Sequence, residues 1–243
     1  MRLAIVSTPR SGNTWLRYIL AKRYSLEQYA IHRPNDLDWG ILPENCVVQI
    51  HWHKSMELST ILESHGFRVL TIARHPFDVL ISILHFSMFE PQTAYWLDGE
   101  GGGESSIFNK SPTCPEFYLY ATGPRAKALL SVTPEWWNAE NVLRIRYEDL
   151  VFQPSETIKT LFQSLRTPEV AFSEILESFS LDKLRTSAPN QHFWKGCPGL
   201  WKSLLPPKIA YAFAEVHSEV LSTLDYKCDP KVDLVNTIAE AAW

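Results

Sequence analysis

The opening of this chain restricts its fold more than any other stretch. The apolar run Leu3-Ala4-Ile5-Val6 passes through Ser7-Thr8-Pro9-Arg10-Ser11-Gly12-Asn13-Thr14-Trp15 into Trp15-Leu16-Arg17-Tyr18-Ile19-Leu20-Ala21, whose apolar residues recur at helical spacing. This spacing predicts a strand, a tight loop and a helix over about Thr14 to Tyr24. The first N–H groups of such a helix have no intrahelical partner and carry partial positive charge, so they attract an anion. Arg10 adds a forked cationic donor, Gly12 supplies a flexible position, and Ser11 and Thr14 supply hydroxyls. The stretch reads as a phosphate cradle. It is not the ATP-binding version, because the Gly-x-x-x-x-Gly-Lys-[Ser/Thr] pattern is absent.

Beyond the loop, short apolar strands alternate with amphipathic helices, the pattern of a parallel sheet covered on both faces in an α/β domain. The predicted strands are Cys46–His51, Phe67–Ala73 and Asn141–Arg146. The predicted helices are Met56–Ser64, one opening at Pro76, Pro115–Val132 with a kink at Pro124, Pro154–Leu165, Glu169–Phe179 and Pro207–Leu221. A polar connection from His32 to Asp38 reads as surface loop, and Gly66 as a helix stop. Between Phe86 and Thr113 the periodicity gives way to Pro91 and the Gly-rich run 98–104, which predicts a variable loop over about 87–113, a lid or acceptor-binding segment. With 45% hydrophobic residues among 243 and no linker composition, the whole chain, 1–243, reads as one domain.

Charge narrows the partners. A net charge of −4 argues against nucleic acid or an anionic membrane as a general partner, so any anion site is local. Cys46, Cys114, Cys197 and Cys228 are too widely spaced for a zinc site or a disulfide framework, so no metal is expected. No apolar run approaches the roughly 20 residues of a membrane span, and a cytoplasmic location is the expectation.

Two further stretches carry anion chemistry. Arg74-His75-Pro76-Phe77-Asp78-Val79-Leu80-Ile81-Ser82 sets a cation at a strand end and a hydroxyl two turns into the following helix, where both can face one anion. His51 and His53 stand just beyond the second predicted strand, where ligands of open α/β sheets bind.

Taken together these stretches resemble the sulfotransferase family. Pro9-Arg10-Ser11-Gly12-Asn13-Thr14-Trp15 is similar to the family's Pro-Lys-Ser-Gly-Thr-Thr-Trp loop, which grips the 5′-phosphosulfate of 3′-phosphoadenosine 5′-phosphosulfate (PAPS), with Arg for Lys and Asn for Thr. Arg74, Pro76, Asp78 and Ser82 match the Arg-x-Pro-x-Asp-x-x-x-Ser segment that recognises the 3′-phosphate. Val142-Leu143 and Arg146-Tyr147-Glu148-Asp149-Leu150 match a third run, which implies that Tyr147 and Trp15 hold the purine. Trp194-Lys195-Gly196-Cys197-Pro198-Gly199-Leu200-Trp201-Lys202 is similar to the family's Arg-Lys-Gly-x-x-Gly-Asp-Trp-Lys loop over the 3′-phosphate, with Trp194 in place of the arginine and Leu200 in place of the aspartate.

The resemblance implies a single-domain, P-loop-like three-layer α/β fold. It also implies transfer of a sulfuryl group from PAPS to a hydroxyl or amine of a small-molecule or carbohydrate acceptor, leaving adenosine 3′,5′-bisphosphate. The donor would be held by Arg10, Ser11, Gly12, Asn13, Thr14, Trp15, Arg74, Ser82, Tyr147, Lys195 and Gly196. In-line transfer of this kind needs a base on the acceptor and charge stabilisation on the leaving group. His51 matches the family's base in Gln49-Ile50-His51, with Gln49 where the family has lysine; His53 is the runner-up, and some carbohydrate-modifying relatives use a glutamate. Arg10 takes the leaving-group role. A P-loop kinase would need the missing Lys-[Ser/Thr] and a magnesium-binding carboxylate, and a PAPS-binding protein without catalysis is the other alternative, against which His51 argues.

Overall fold

The computed structural model describes residues 1–89, 96–97, 100–166, 173–187 and 193–243. Strands β1 (Arg2–Val6), β2 (Glu27–Ile31), β3 (Cys46–Ile50), β4 (Phe67–Ala73) and β5 (Leu143–Arg146) form one parallel sheet in the order β2-β3-β1-β4-β5. The register runs Val6 to Ile50 on one side of β1 and Ile5 to Leu70 on the other. β1 lies at the centre, and Leu3, Ala4, Ile5 and Val6 are all fully buried.

Because side chains alternate across a strand, β1 feeds two cores. Leu3 and Ile5 join Val47, Leu70 and Ile72 beneath helices α1 (Asn13–Tyr24), α6 (Tyr147–Phe152) and α7 (Pro154–Ser164). Ala4 and Val6 join Val48 and Ile50 on the opposite face, against α2 (Met56–Ser64) and α5 (Pro124–Trp137). This is the three-layer arrangement the alternating pattern predicts. Helix α3 (Pro76–Ser87) is buried at every position and opens a third apolar cluster with α4 (Pro115–Thr122), α10 (Pro207–Val216) and α11 (Ser218–Thr223). Helices α8 (Ser173–Ser178), α9 (Leu181–Ser187) and α12 (Asn236–Ala242) complete the described α-helices.

Several boundaries differ from the sequence-based expectations. β2 falls in a stretch with no apolar pattern, because it is an edge strand on which Glu27, Gln28 and Ala30 are exposed. Pro124 does not kink one helix but opens a second, since the residue before a proline is driven out of helical geometry. Gly123 is extended there (φ −82°, ψ 174°), and a Cβ on it would lie 2.8 Å from the Leu119 carbonyl oxygen. Within 87–113, residues Glu100–Ile107 form a 3-10 helix rather than irregular loop. Its Glu104, buried in the protein, accepts from Tyr120 Oη and Arg125 Nε at 3.0 Å each. Residues 90–95 and 98–99 of that loop lie outside the described residues, as do 167–172, where the expected Glu169–Phe179 helix begins. The helix expected over Pro207–Leu221 is two helices meeting at His217.

Candidate active site

Every strand delivers a residue to one cleft of about 390 Å3 at the carboxyl end of the sheet. Ile31 comes from β2, His51 follows β3, Arg10 and Gly12 follow β1, Arg74 follows β4, and Tyr147 follows β5.

The loop after β1 is held open by long-range ties. Pairing of β1 with β4 ends at Ile5 and Leu70, and beyond it the Ser7 hydroxyl accepts the Ile72 N–H at 2.7 Å. Thr8 and Thr133 exchange bonds: Thr8 N donates to Thr133 Oγ1 at 2.8 Å, and Thr133 N donates to Thr8 Oγ1 at 3.2 Å. Thr133 stands beside Pro134, which interrupts the hydrogen-bond ladder of α5. Arg10 (φ 65°) and Gly12 (φ 102°) are both left-handed, a geometry costing a non-glycine residue roughly 1–2 kcal/mol. Gly12 is required for a second reason, because a Cβ would lie 2.6 Å from Tyr147 Cδ2.

These constraints sort the predicted residues. Asn13 points back into the loop, its Nδ2 donating to the Thr8 carbonyl at 2.9 Å, so it closes the turn. Ser11 Oγ is buried with no hydrogen-bond partner among the described residues, and so is Arg74 Nε. Arg74 Nη1 donates to the Arg10 carbonyl at 2.9 Å, and its guanidinium lies 4.5 Å from the centroid of the Tyr147 ring. Arg10 Nε donates to Ser82 Oγ at 3.1 Å, linking the two predicted anion subsites. Burial, then the neighbouring Arg74 charge, push Arg10 down to about 9, still cationic at neutral pH. Thr14 lines the cleft. Trp15, which also lines it, meets Tyr147 edge-on at 6.1 Å and donates Nε1 to the Phe179 carbonyl at 2.8 Å. Two guanidiniums, an orphaned buried hydroxyl and a loop with no room for a side chain at Gly12 suit an anion of phosphate type.

His51 is 8% exposed, and its Nδ1 lies 2.8 Å from the Ser7 carbonyl oxygen. That carbonyl can only accept, so Nδ1 carries the proton and Nε2 presents its lone pair; Gln49 Nε2 lies 3.4 Å from it. Burial pushes the imidazole down to about 4; the Ser7 bond opposes this, and the charges of His32, Arg10 and Arg17 reinforce it. His53 stands apart, its Nδ1 2.9 Å from Glu135 Oε1, and does not line the cleft.

The loop 193–202 closes one side. The Gly196 carbonyl accepts from the Tyr147 hydroxyl at 2.8 Å. Asp78 accepts the Gly199 and Trp201 N–H groups at 2.6 and 2.9 Å, which fixes this loop to the first turn of α3. Sequence reasoning matched Asp78 without giving it a task; an acid in a helix first turn is the signal that could have suggested one. Lys195, by contrast, is exposed, does not line the cleft, and donates Nζ to the Ala242 carbonyl at 3.1 Å. Lys202 pairs with Asp229 at 2.7 Å. Arg185, unmarked in the sequence, donates Nε to the Trp194 carbonyl at 2.8 Å and so secures the loop from outside. Arg17 was placed by sequence only on the helical pattern, yet its side chain lines the cleft.

No helix among the described residues is long and apolar enough to cross a membrane.

A mouse sulfotransferase, SULT7A1, complexed with PAP is similar in structure at a TM-score of 0.70 and 19% identity, over 93% of this chain and 89% of its own. A retinol dehydratase in complex with androsterone and inactive cofactor PAP gives 0.61 and 14% identity, over 97% of this chain and 83% of its own. The sulfotransferase domain from the curacin biosynthetic pathway gives 0.54 and 18% identity, over 93% and 98%. A comparison with curated proteins finds no match. At these identities the likenesses establish the fold. A family model described as the sulfotransferase domain matches residues 2–225, from the first residue of β1 through all five strands and the loop tied to Asp78, and on that match the chain belongs to the sulfotransferase family.

Proposed function

We propose that this chain transfers a sulfuryl group from PAPS to a hydroxyl or amine of a small-molecule or carbohydrate acceptor, with His51 as general base and Arg10 stabilising the leaving group. The observation that carries this reading is the Nδ1 bond of His51 to the Ser7 carbonyl at 2.8 Å, which leaves Nε2 as the acceptor of a proton in the same cleft as the two arginines. PAPS, when bound, supplies an activated sulfuryl group on its 5′-phosphate, and its product, adenosine 3′,5′-bisphosphate, is the PAP held by the mouse sulfotransferase and the retinol dehydratase.

The residues fit this donor. Arg10, Gly12 and Thr14 form the 5′ cradle, to whose loop Ser11, which does not itself line the cleft, adds a buried hydroxyl; Asn13 shapes the loop, Arg74 and Ser82 take the 3′-phosphate, and Trp15 and Tyr147 wall the purine beside Gly196. Lys195 does not line the cleft, although its ammonium lies 4.8 Å from the centroid of the Trp194 ring, which does. Arg10 neutralises charge growing on the bridging oxygen, where a desolvated cation acts most strongly. His51 Nε2 takes the acceptor's proton as the nucleophile attacks. Burial is the main reason the imidazole is pushed down to about 4, and the charge of Arg10, a lesser cause, is the part that anionic groups of the donor offset.

The test is release of bisphosphate from PAPS over an acceptor panel of phenols, alcohols, amines and sugars. His51→Ala should lower kcat by roughly 10²–10⁴-fold while PAPS affinity stays within a few-fold. Retention of more than about a tenth of kcat moves the base elsewhere, and bisphosphate release with no acceptor in the panel refutes transfer.

A further inference from the structure

Resting on that reading, we propose that the acceptor is a small hydroxylated molecule with an apolar, ring-like body and a carboxylate or comparable oxyanion, which pairs with Arg17 and so sets acceptor specificity. Three guanidiniums line the cleft, those of Arg10, Arg17 and Arg74, against a single lining carboxylate among the described residues, Asp78. Asp78 is already committed to the Gly199 and Trp201 amides. The cleft is therefore strongly cationic.

Arg10 and Arg74 form one group, joined by the bond from Arg74 to the Arg10 carbonyl, and they answer to the donor's two anionic ends. Arg17 stands on the other wing. It projects from the second turn of α1 and lines the cleft that Gln49, His51 and the end of β2, Ala30, Ile31 and His32, also line. It is near enough to His51 to help depress that imidazole, after His32 and Arg10. Its Nε is buried and has no hydrogen-bond partner among the described residues, and its guanidinium lies 5.4 Å from the Tyr18 ring. Arg17 is half-buried, and burial lowers its pKa while the neighbouring Tyr18 hydroxyl opposes this; no counter-charge among the described lining residues offsets its partial loss of water, so an anion that the ligand brings completes the site.

The apolar wall stands on the same side as the base. Trp96 meets His51 edge-on at 6.0 Å and is stacked on Phe86 at 6.1 Å, and both aromatic rings line the cleft with Ile81. A ring against Trp96 places its hydroxyl at His51 Nε2 while an oxyanion on the same molecule reaches Arg17. Pairing there also offsets one of the charges that hold His51 down, so the right acceptor strengthens its own base.

The experiment uses matched acceptors, 4-hydroxybenzoate, 4-hydroxyphenylacetate and 3-(4-hydroxyphenyl)propanoate, each beside its methyl ester. Bisphosphate release is measured at saturating PAPS, and calorimetric binding of each compound to the bisphosphate-loaded protein provides a readout that does not depend on turnover. In the wild type at least one acid should exceed its ester by roughly ten- to a hundredfold, in kcat/KM through KM and in affinity. Arg17→Gln should collapse that ratio to within about twofold, and Arg17→Lys, which keeps the charge, should retain a ratio above about threefold. The inference is overturned if every ester equals its acid in the wild type, if the ratio survives in Arg17→Gln because acid and ester weaken together, or if Arg17→Lys loses it as fully as Arg17→Gln. Absence of bisphosphate release from every compound counts against sulfuryl transfer instead, while the calorimetric ratio still decides the role of Arg17.

Discussion

The burial of His51 makes a quantitative prediction about acid stability. An imidazole titrates at 6.5 in the unfolded chain and at about 4 in the folded protein, where burial disfavours the cation. Between those values the unfolded chain binds a proton that the folded protein refuses. Stability therefore rises with pH across this window and is lost as pH falls through it, with no further loss once both states are protonated. At pH 5 the loss relative to pH 8 is ~2 kcal/mol, approaching ~3 kcal/mol at the acid limit. Urea unfolding of the wild type and of His51→Gln at pH 8 and pH 5 isolates this contribution. His75, His85 and His217 are likewise held down by burial, but they are common to both proteins and cancel in the comparison. The wild type should lose ~2 kcal/mol more than His51→Gln between the two pH values. Equal losses would mean that His51 is hydrated or already protonated in the folded state, and the fixed Nδ1–H tautomer, on which the assignment of the base depends, would fall with it.

Two other substitutions probe the loop. Arg10→Ala should lower kcat more than it weakens binding of the bisphosphate, with Arg10→Lys recovering much of the rate; steady-state kinetics beside calorimetry separates the two effects, and equal losses would make Arg10 a uniform binder. Gly12→Ala should cost about 1–3 kcal/mol of thermal stability and weaken nucleotide binding, because φ 102° strains any side chain and the added Cβ lies 2.6 Å from Tyr147; Tyr147→Leu in the same chain should restore part of the stability, and a full-stability Gly12→Ala would refute the contact.

The loop after β1 was legible in sequence because its determinants are local: an apolar run, a cation, a glycine and a helical period within a few residues. The parallel sheet was legible for the same reason, each buried strand being a short apolar run. What escaped was non-local or exposed. β2 has no apolar stripe because its outward residues face solvent, and Pro124 reads identically as a kink or as a helix start. Thr133 reaches Thr8 across 125 residues, a tie that neither segment announces. Lys195 matched a motif by position, yet in the fold its ammonium meets the Ala242 carbonyl, whereas Asp78 in the neighbouring motif holds the loop through two backbone amides. Arg17 was one residue of a helical pattern until β2 and β3 were set beside it. Motif spacing fixes which backbone approaches a ligand; which side chains then face it depends on packing from elements far away in sequence.

The central claim, that the cleft holds a nucleotide phosphorylated at both its 5′ and 3′ ends, is tested most directly by calorimetry of adenosine 3′,5′-bisphosphate against ADP. Arg74 and Ser82 have a partner in the first and none in the second. Charged hydrogen bonds to a buried group contribute about 1.5–3 kcal/mol each, so one or two of them imply a preference of roughly tenfold to 10⁴-fold. The wild type should show that preference, and Arg74→Ala should erase most of it, weakening the bisphosphate far more than ADP, whose smaller loss comes through the Arg10 carbonyl that Arg74 holds. A wild-type protein that binds ADP or ATP as tightly as the bisphosphate would contradict the account.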